Sequence, residues 1–448
     1  PTGLDLLKLN LRGCSTSDEV LDAVRDWHRE KPDGWLHAVQ YDQTKFAGAV
    51  HLTRHDLDAI SSDRPILLRH SNGHASVGNS AALAAAGVNE EAQDPKGGTY
   101  VRDAAGKLTG VLLERAHEHV SSSAPDPSLE EMVEAILRAG RLLASYGFST
   151  ADDMMTGRWN LAQELTAYRL AAERGCAIRT GVCMQYASVL GPRGIDSGEL
   201  SELAKAYTAA GGHVVGVKIF ADGAIGSATA AIHARFKTTG GQGTLIYAPD
   251  KLTEMFRRAT DAGWRVVVHS IGDRSTDHVM DAVEASGDPA RHRIEHVMIL
   301  SDEQIARLKR LGCPVTLQPE FLSRFGHAYR SQLPDDIWPR LIRARSLLDA
   351  GVPISASTDR PIVIGLPEVG INALVQRPEG YDPSESLTDE EALLCWTDWA
   401  SRDRGTGDDL GGIHLGKQAD LRWFDEKGAL AEVWRSGEAV WRASGQDS

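Results

Sequence analysis

Val214-Val-Gly-Val-Lys-Ile-Phe-Ala-Asp-Gly223 runs apolar from Val214 to Ala221, with Lys218 as its one charge. A lysine in such a run is costly, because a buried ammonium must find a partner or lose its charge. The surrounding sequence repeats the same kind of run. Apolar strand candidates fall at 148–152, 178–185, 214–220, 265–269, 293–296, 315–318 and 354–357. Helical patterns lie around and between them, at 129–144, 197–210, 250–262, 275–286, 301–311 and 338–350. Strand–helix alternation of this regularity predicts βα units and a parallel sheet. Seven such steps suit a (β/α)8 TIM barrel better than an open sheet. The eighth strand then comes from before residue 130, or from before Pro1.

The flanks differ in character. Residues 1–145 read as an inserted α+β subdomain. They hold a helix from Ser17 behind a Ser/Thr cap, a strand at 64–69, a helix at 79–87 stopped by Gly87, and a hairpin at 97–113 turning near Asp103–Gly106. Residues 146–405 form the barrel. Residues 406–448 read as short strands of a small β-sandwich-like domain.

Composition narrows the class. With 448 residues, 42% hydrophobic and 25% charged, the chain can bury an enzyme-sized core. A formal net charge of -14 without a Lys/Arg block argues against nucleic acid and anionic membranes. No apolar run approaches the roughly 18 residues of a membrane span. Cys14, Cys176, Cys183, Cys313 and Cys395 are odd in number and form no CxxC, as in reduced, cytoplasmic proteins. The oligomeric state is not readable, and a homodimer stays open.

Catalytic groups of a barrel sit where its strands end. Val266-Val-Val leads to His269, Arg293-Ile-Glu to His296, Ile354-Ser-Ala-Ser-Thr to Asp359, and Val215-Gly-Val to Lys218. Singly, each has a bland alternative: a core histidine, a turn aspartate, a lysine snorkelling to the strand end. Jointly, two imidazoles and a carboxylate at equivalent points of a repeat suit a divalent metal ion.

The local sequences carry a resemblance. VKIFADGAIGS at 217–227, VVVHSIGDR at 266–274, HRIEHV at 292–297, STDRP at 357–361 and HLGKQADL at 414–421 resemble the amidohydrolase superfamily. They are most similar to its branch of N-substituted formamide deformylase-like metal-dependent hydrolases. RHSNGHASVGNSAAL at 69–83 and GFSTADD at 147–153 resemble further segments of that branch.

The resemblance implies a hydrolase that cleaves the C–N bond of a small-molecule amide, N-formyl compound or cyclic amide with metal-activated water. It implies that Lys218 is carbamylated and bridges two divalent ions, with zinc the first expectation. His269 and His296 become ligands, and Asp359 a ligand and general base. His74, Asp222 and Gln318 are expected at the substrate. The superfamily's first strand ends in His-x-His, and none is expected in this sequence, whose pairs His51/His55 and His70/His74 are spaced by four. The chain opens on Pro1 without an initiator Met, so a preceding segment is expected to carry that strand and its histidines. Two alternatives remain: a mononuclear, deaminase-like enzyme without the carbamate, and an inactive barrel that binds a small molecule.

Overall fold

The computed structural model describes residues 2–31, 33–71, 73 and 75–443. The chain divides into two compact units after Arg138.

The first unit is built on a six-stranded sheet. Its strands are β1 (Leu9–Asn10), β2 (Leu36–Tyr41), β3 (Ile66–His70), β4 (Ala75–Gly78), β5 (Gly98–Arg102) and β6 (Leu108–Glu114), in the order β1-β2-β3-β4-β6-β5. β1, β2 and β3 pair in parallel, and the remaining pairs are antiparallel. The hairpin expected at 97–113 is present as β5 and β6. Asp103 N donates to Lys107 O at 2.8 Å, and Gly106 takes the left-handed conformation of the turn (φ 77°). Thr16 caps the helix Ser17–Glu30 by accepting from Glu19 N. Buried Asn79 ties the unit together. Its Oδ1 accepts from Ile66 N and Ala82 N, and its Nδ2 donates to the carbonyls of Ser61 and Arg64.

The second unit holds the repeat. Strands β7 (Thr150–Thr156), β8 (Arg179–Gln185), β9 (His213–Phe220), β10 (Val266–Ser270), β11 (Arg293–His296), β12 (Val315–Leu317) and β13 (Ile354–Ala356) lie side by side in chain order, all parallel. This curled sheet of seven strands, with helices following its strands, is a TIM-like barrel sheet. A three-stranded antiparallel sheet, β14 (Leu421–Phe424), β15 (Leu430–Arg435) and β16 (Glu438–Arg442), supplies the extra β element. One expected helix is not continuous. Residues 338–350 split into a 3-10 turn, Trp338–Arg340, and a helix, Ala344–Ala350, because buried Ile342 between them is left-handed (φ 54°).

Alternation sorts the strand residues into two faces. Val266 and Val268 join the large outer core with Val182, Met184, Val217 and Ile219. Val267 instead packs inward with Cys183, Val215 and Met154. Register then places Gln185, Lys218, Val267 and Arg293 in one inner row, and Phe220, His269, Glu295, Thr316 and Ser355 in the next. Val215 is the extra residue of a bulge in β9, since Val182 pairs with Val214 but Cys183 with Gly216. Gly216 makes that bulge possible. Its φ is +152°, and a Cβ there would meet the Arg265 carbonyl oxygen at 2.4 Å. Gly216→Ala is expected to lower stability by about 1–3 kcal/mol, read as a lower urea midpoint.

An ion network closes the N-terminal end of the strands. Arg293 bonds Glu295 and Asp403, both at 2.7 Å; Arg265 bonds Asp403 at 2.5 Å; Arg404 bonds Asp152 at 2.8 Å. Three guanidinium groups and three carboxylates balance one another there. Lys218 has no counter-charge in that balance.

Candidate active site

Lys218, on the inner row, is 5% exposed. Its Nζ makes no hydrogen bond or ion pair among the described residues and lies 4.9 Å from the centre of the Phe220 ring. Burial pushes its pKa down, against the pull of Glu295, Cys183 and Asp359. The charge of this lysine is therefore poorly supported, and the neutral amine is favoured relative to an exposed lysine.

His269 continues the inner face at the next row, opposite Phe220 and Glu295. Simple alternation would turn His296, the residue after Glu295, outward. The backbone prevents this by entering the left-handed region at His296 (φ 81°) and Val297 (φ 38°). The two imidazoles then meet, with ring centres 4.5 Å apart. Asp359 is left-handed as well (φ 55°). Non-glycine residues held in this region mark places where the surrounding fold dictates a strained conformation, and such places concentrate at functional sites.

The tautomer of His269 follows from its neighbour. Nε2 lies 3.1 Å from the Gly223 carbonyl, which can only accept, so Nε2 carries the proton and Nδ1 keeps a free lone pair. Burial, then Lys218, pushes His269 down to about 3. Burial, then His269 and Lys218, pushes His296 well below the usual histidine value. Its Nδ1 is buried without a partner. Asp359 is pushed up to about 6 by burial, with Lys218 opposing and Glu295 adding to the rise. The four residues thus lie within electrostatic reach of one another: two neutral imidazoles, a poorly charged lysine and a weakly acidic carboxyl group.

The other expected residues are placed differently. Asp222 does not line an open pocket: its side chain is fully buried. Its Oδ1 accepts from Ile271 N at 3.0 Å, and its Oδ2 accepts from Gly272 N and Ala231 N, each at 2.9 Å. A carboxylate bound by three backbone amides is a clamp. It fastens the segment after β9 to the turn after β10, and that segment carries the Gly223 carbonyl that fixes His269. Burial still holds the Asp222 carboxyl up at about 6, against those three hydrogen bonds. Gln318 is buried beside His296, its Nε2 donating to Ser357 Oγ at 3.0 Å, Thr316 O at 3.1 Å and Glu295 Oε2 at 3.3 Å. His74 lies outside the described residues.

The sequence does contain one His-x-His, His117-Glu118-His119, which a search of strand ends passes over. It lies on the helix Arg115–Ser121 of the first unit. Spacing of two turns the residues apart on a helix. His117 Nδ1 meets Ser76 Oγ at 2.9 Å, and His119 Nδ1 meets the Tyr100 hydroxyl at 2.6 Å.

Aromatic walls are a feature that strand ends do not reveal. Phe220 packs against His269 (5.3 Å) and Phe321 stacks on His296 (6.0 Å, 21°). Phe321 begins the helix Glu320–Gln332, whose Phe325 and Tyr329 continue the ring-to-ring contacts. Aromatic residues at spacing four in 321–329 were the available signal.

The donor chemistry suits a divalent ion. His269 Nδ1 has a free lone pair, His296 Nδ1 is an orphaned buried nitrogen, and Lys218 and Asp359 complete a set of N and O donors. Among the described residues, no group of three His, Cys, Asp or Glu side chains could by itself hold a metal ion.

A barrel sheet with two neutral imidazoles, a lysine and an aspartate at its strand ends defines a class of metal-dependent hydrolases. The chain belongs to the amidohydrolase family, whose model matches residues 1–438. It is a hydrolase acting on carbon–nitrogen bonds. It is 28% identical over 432 residues to the N-substituted formamide deformylase of Arthrobacter pascens, covering 92% of this chain and 78% of that one. It is 28% identical over 450 residues to the protein LONG AFTER FAR-RED 3 of Arabidopsis thaliana, covering 94% and 74%. An uncharacterized metal-dependent hydrolase from Pyrococcus furiosus shares the fold, with a TM-score of 0.74 at 24% identity over 93% of this chain and 82% of that one. No described helix is long and apolar enough to cross a membrane.

Proposed function

We propose that the chain hydrolyses the C–N bond of a small amide, N-formyl amine or cyclic amide, with Asp359 as general base. In this reading His269, His296, Asp359 and a carbamylated Lys218 hold two divalent ions, zinc being the first choice for such donors. The observation that carries it is the buried Lys218, without a hydrogen bond or ion pair among the described residues, beside two neutral imidazoles, an arrangement that packing alone gives no reason to keep. The deformylase relative supports an N-formyl amine as the first substrate class to test. The five free cysteines suit a reducing cytoplasm, and a homodimer is the oligomer to test first.

A divalent ion bound there supplies Lewis-acid polarisation of the carbonyl and acidifies water. The remaining work belongs to the chain. Lys218 in its neutral form adds its nitrogen lone pair to carbon dioxide and releases one proton, which leaves an anionic oxygen donor. His269 is kept neutral and oriented by the Gly223 carbonyl. Asp359, with its carboxyl near 6, takes a proton from water and returns it to the departing nitrogen. Phe220 and Phe321 form apolar walls beside the imidazoles.

A one-ion enzyme with unmodified Lys218 is the second reading, favoured by the meeting of just two imidazoles. Metal counting separates the two. Chelation is expected to abolish hydrolysis of N-formyl and N-acyl amines, with zinc restoring it. Lys218→Ala is expected to lower the bound metal from two ions per chain. An unchanged metal count in that variant, or activity that survives complete metal removal, contradicts the two-ion reading.

A further inference from the structure

A second polar corner stands near the same strand ends. A pocket of about 240 Å³ lies between the segments after β7 and β8, with Trp159, Ser188, Arg193 and Glu199 among its lining residues. Arg193 is exposed, yet its guanidinium is held at both terminal nitrogens. Nη2 donates to Gln185 Oε1 at 3.0 Å, and Nη1 donates to the Arg158 carbonyl at 3.1 Å. Gln185 is the register neighbour of Lys218 in the inner row, so this tether joins Arg193 to a strand that flanks the candidate site. The Arg158 guanidinium lies 5.3 Å from the centre of the Trp159 ring.

Neither arginine pairs with a carboxylate among the described residues. A guanidinium has five N–H donors, and two hydrogen bonds leave three of them for a ligand. The matching ligand is a carboxylate, which accepts two parallel N–H bonds. Glu199, which also lines the pocket, opposes any anion there and opposes a doubly charged phosphate more than a singly charged carboxylate.

We propose that Arg193, positioned by Gln185 and supported by Arg158, reads a carboxylate on the substrate and is a specificity-determining residue. The substrate class is then an N-formyl or N-acyl amino acid, which carries its carboxylate close to the scissile amide. The proposal rests on the amide-hydrolase reading above.

The test uses a matched pair, N-formylphenylalanine and its carboxamide, with wild type, Arg193→Gln and Arg193→Lys. Wild type is expected to prefer the acid. Arg193→Gln is expected to collapse the acid-to-carboxamide ratio of kcat/KM by about 10–100-fold, the range of a charge-assisted hydrogen bond, with the loss in KM. Arg193→Lys is expected to recover part of it, because the ammonium keeps the charge but not the fork. A ratio that does not change in Arg193→Gln overturns the proposal and leaves the hydrolase reading standing. A fall shared equally by both substrates also overturns it, as a loss of structure. A metal-loaded wild type that cleaves neither substrate counts against the hydrolase reading for this class and removes the proposal with it.

Discussion

Asp359→Asn is expected to lower kcat by about 10²–10⁴-fold, the range for loss of a positioned general base, while the protein stays folded. The two effects separate because of how Asp359 is held. Its carboxyl is pushed up to about 6 by burial, with Lys218 opposing and Glu295 adding to the rise. A carboxyl raised in the folded state costs stability as pH rises through its folded value. At pH 7 the charged form is therefore a burden on the fold, and the neutral amide relieves it. The side chain is near-isosteric, so the left-handed backbone at 359 keeps a residue type that tolerates it. The expected pattern is a large fall in turnover with, for the metal-free proteins, a melting temperature equal to or above wild type. Turnover within tenfold of wild type would remove Asp359 from the role of base. A collapse of the melting temperature would make its role structural.

The opposite pattern is expected at the other end of the strands. Asp403→Ala should reduce the free energy of unfolding by about 3–5 kcal/mol, the cost of leaving buried charges without their partner. The Asp403 side chain is 6% exposed and accepts from both Arg265 and Arg293. Burial pushes its carboxyl up, but the two guanidinium groups prevail and hold it below the usual carboxylate value. A carboxyl depressed in the folded state contributes stability that is complete above its unfolded pKa, near 4, and is lost as pH falls through the folded value. The gap between wild type and Asp403→Ala should thus be full at pH 7 and narrow below about pH 4. Denaturant midpoints at several pH values measure it. An equal gap at pH 7 and pH 3 would show that packing, not charge, holds the network.

The barrel repeat was legible because each strand carries the same local mark, an apolar run followed by a polar residue and a helix. That periodicity, with the family resemblance, put Lys218, His269, His296 and Asp359 forward as candidates at strand ends. It could not show how His296 reaches its neighbour, because a left-handed residue after Glu295 breaks the alternation on which the reading depends. Asp222 followed Lys218 closely enough to suggest the pocket, but its partners are backbone amides, which no side-chain pattern encodes. The ion network joins residues 152, 265, 293, 295, 403 and 404, several of them more than a hundred positions apart. Charges so separated in sequence have no period to betray them.

The Asp222 clamp bears on how the enzyme meets its substrate. The stretch from Ala221 to Ala248 contains no regular helix or strand, a length at which loops often serve as moving lids. Here it is fastened at its base by the Asp222 carboxylate and farther along by Lys237 N donating to the Gln332 carbonyl at 2.8 Å. Its conformational entropy is lost once, when the chain folds, and not again at each encounter with a ligand. The imidazole that Gly223 orients is accordingly preorganised before any molecule arrives.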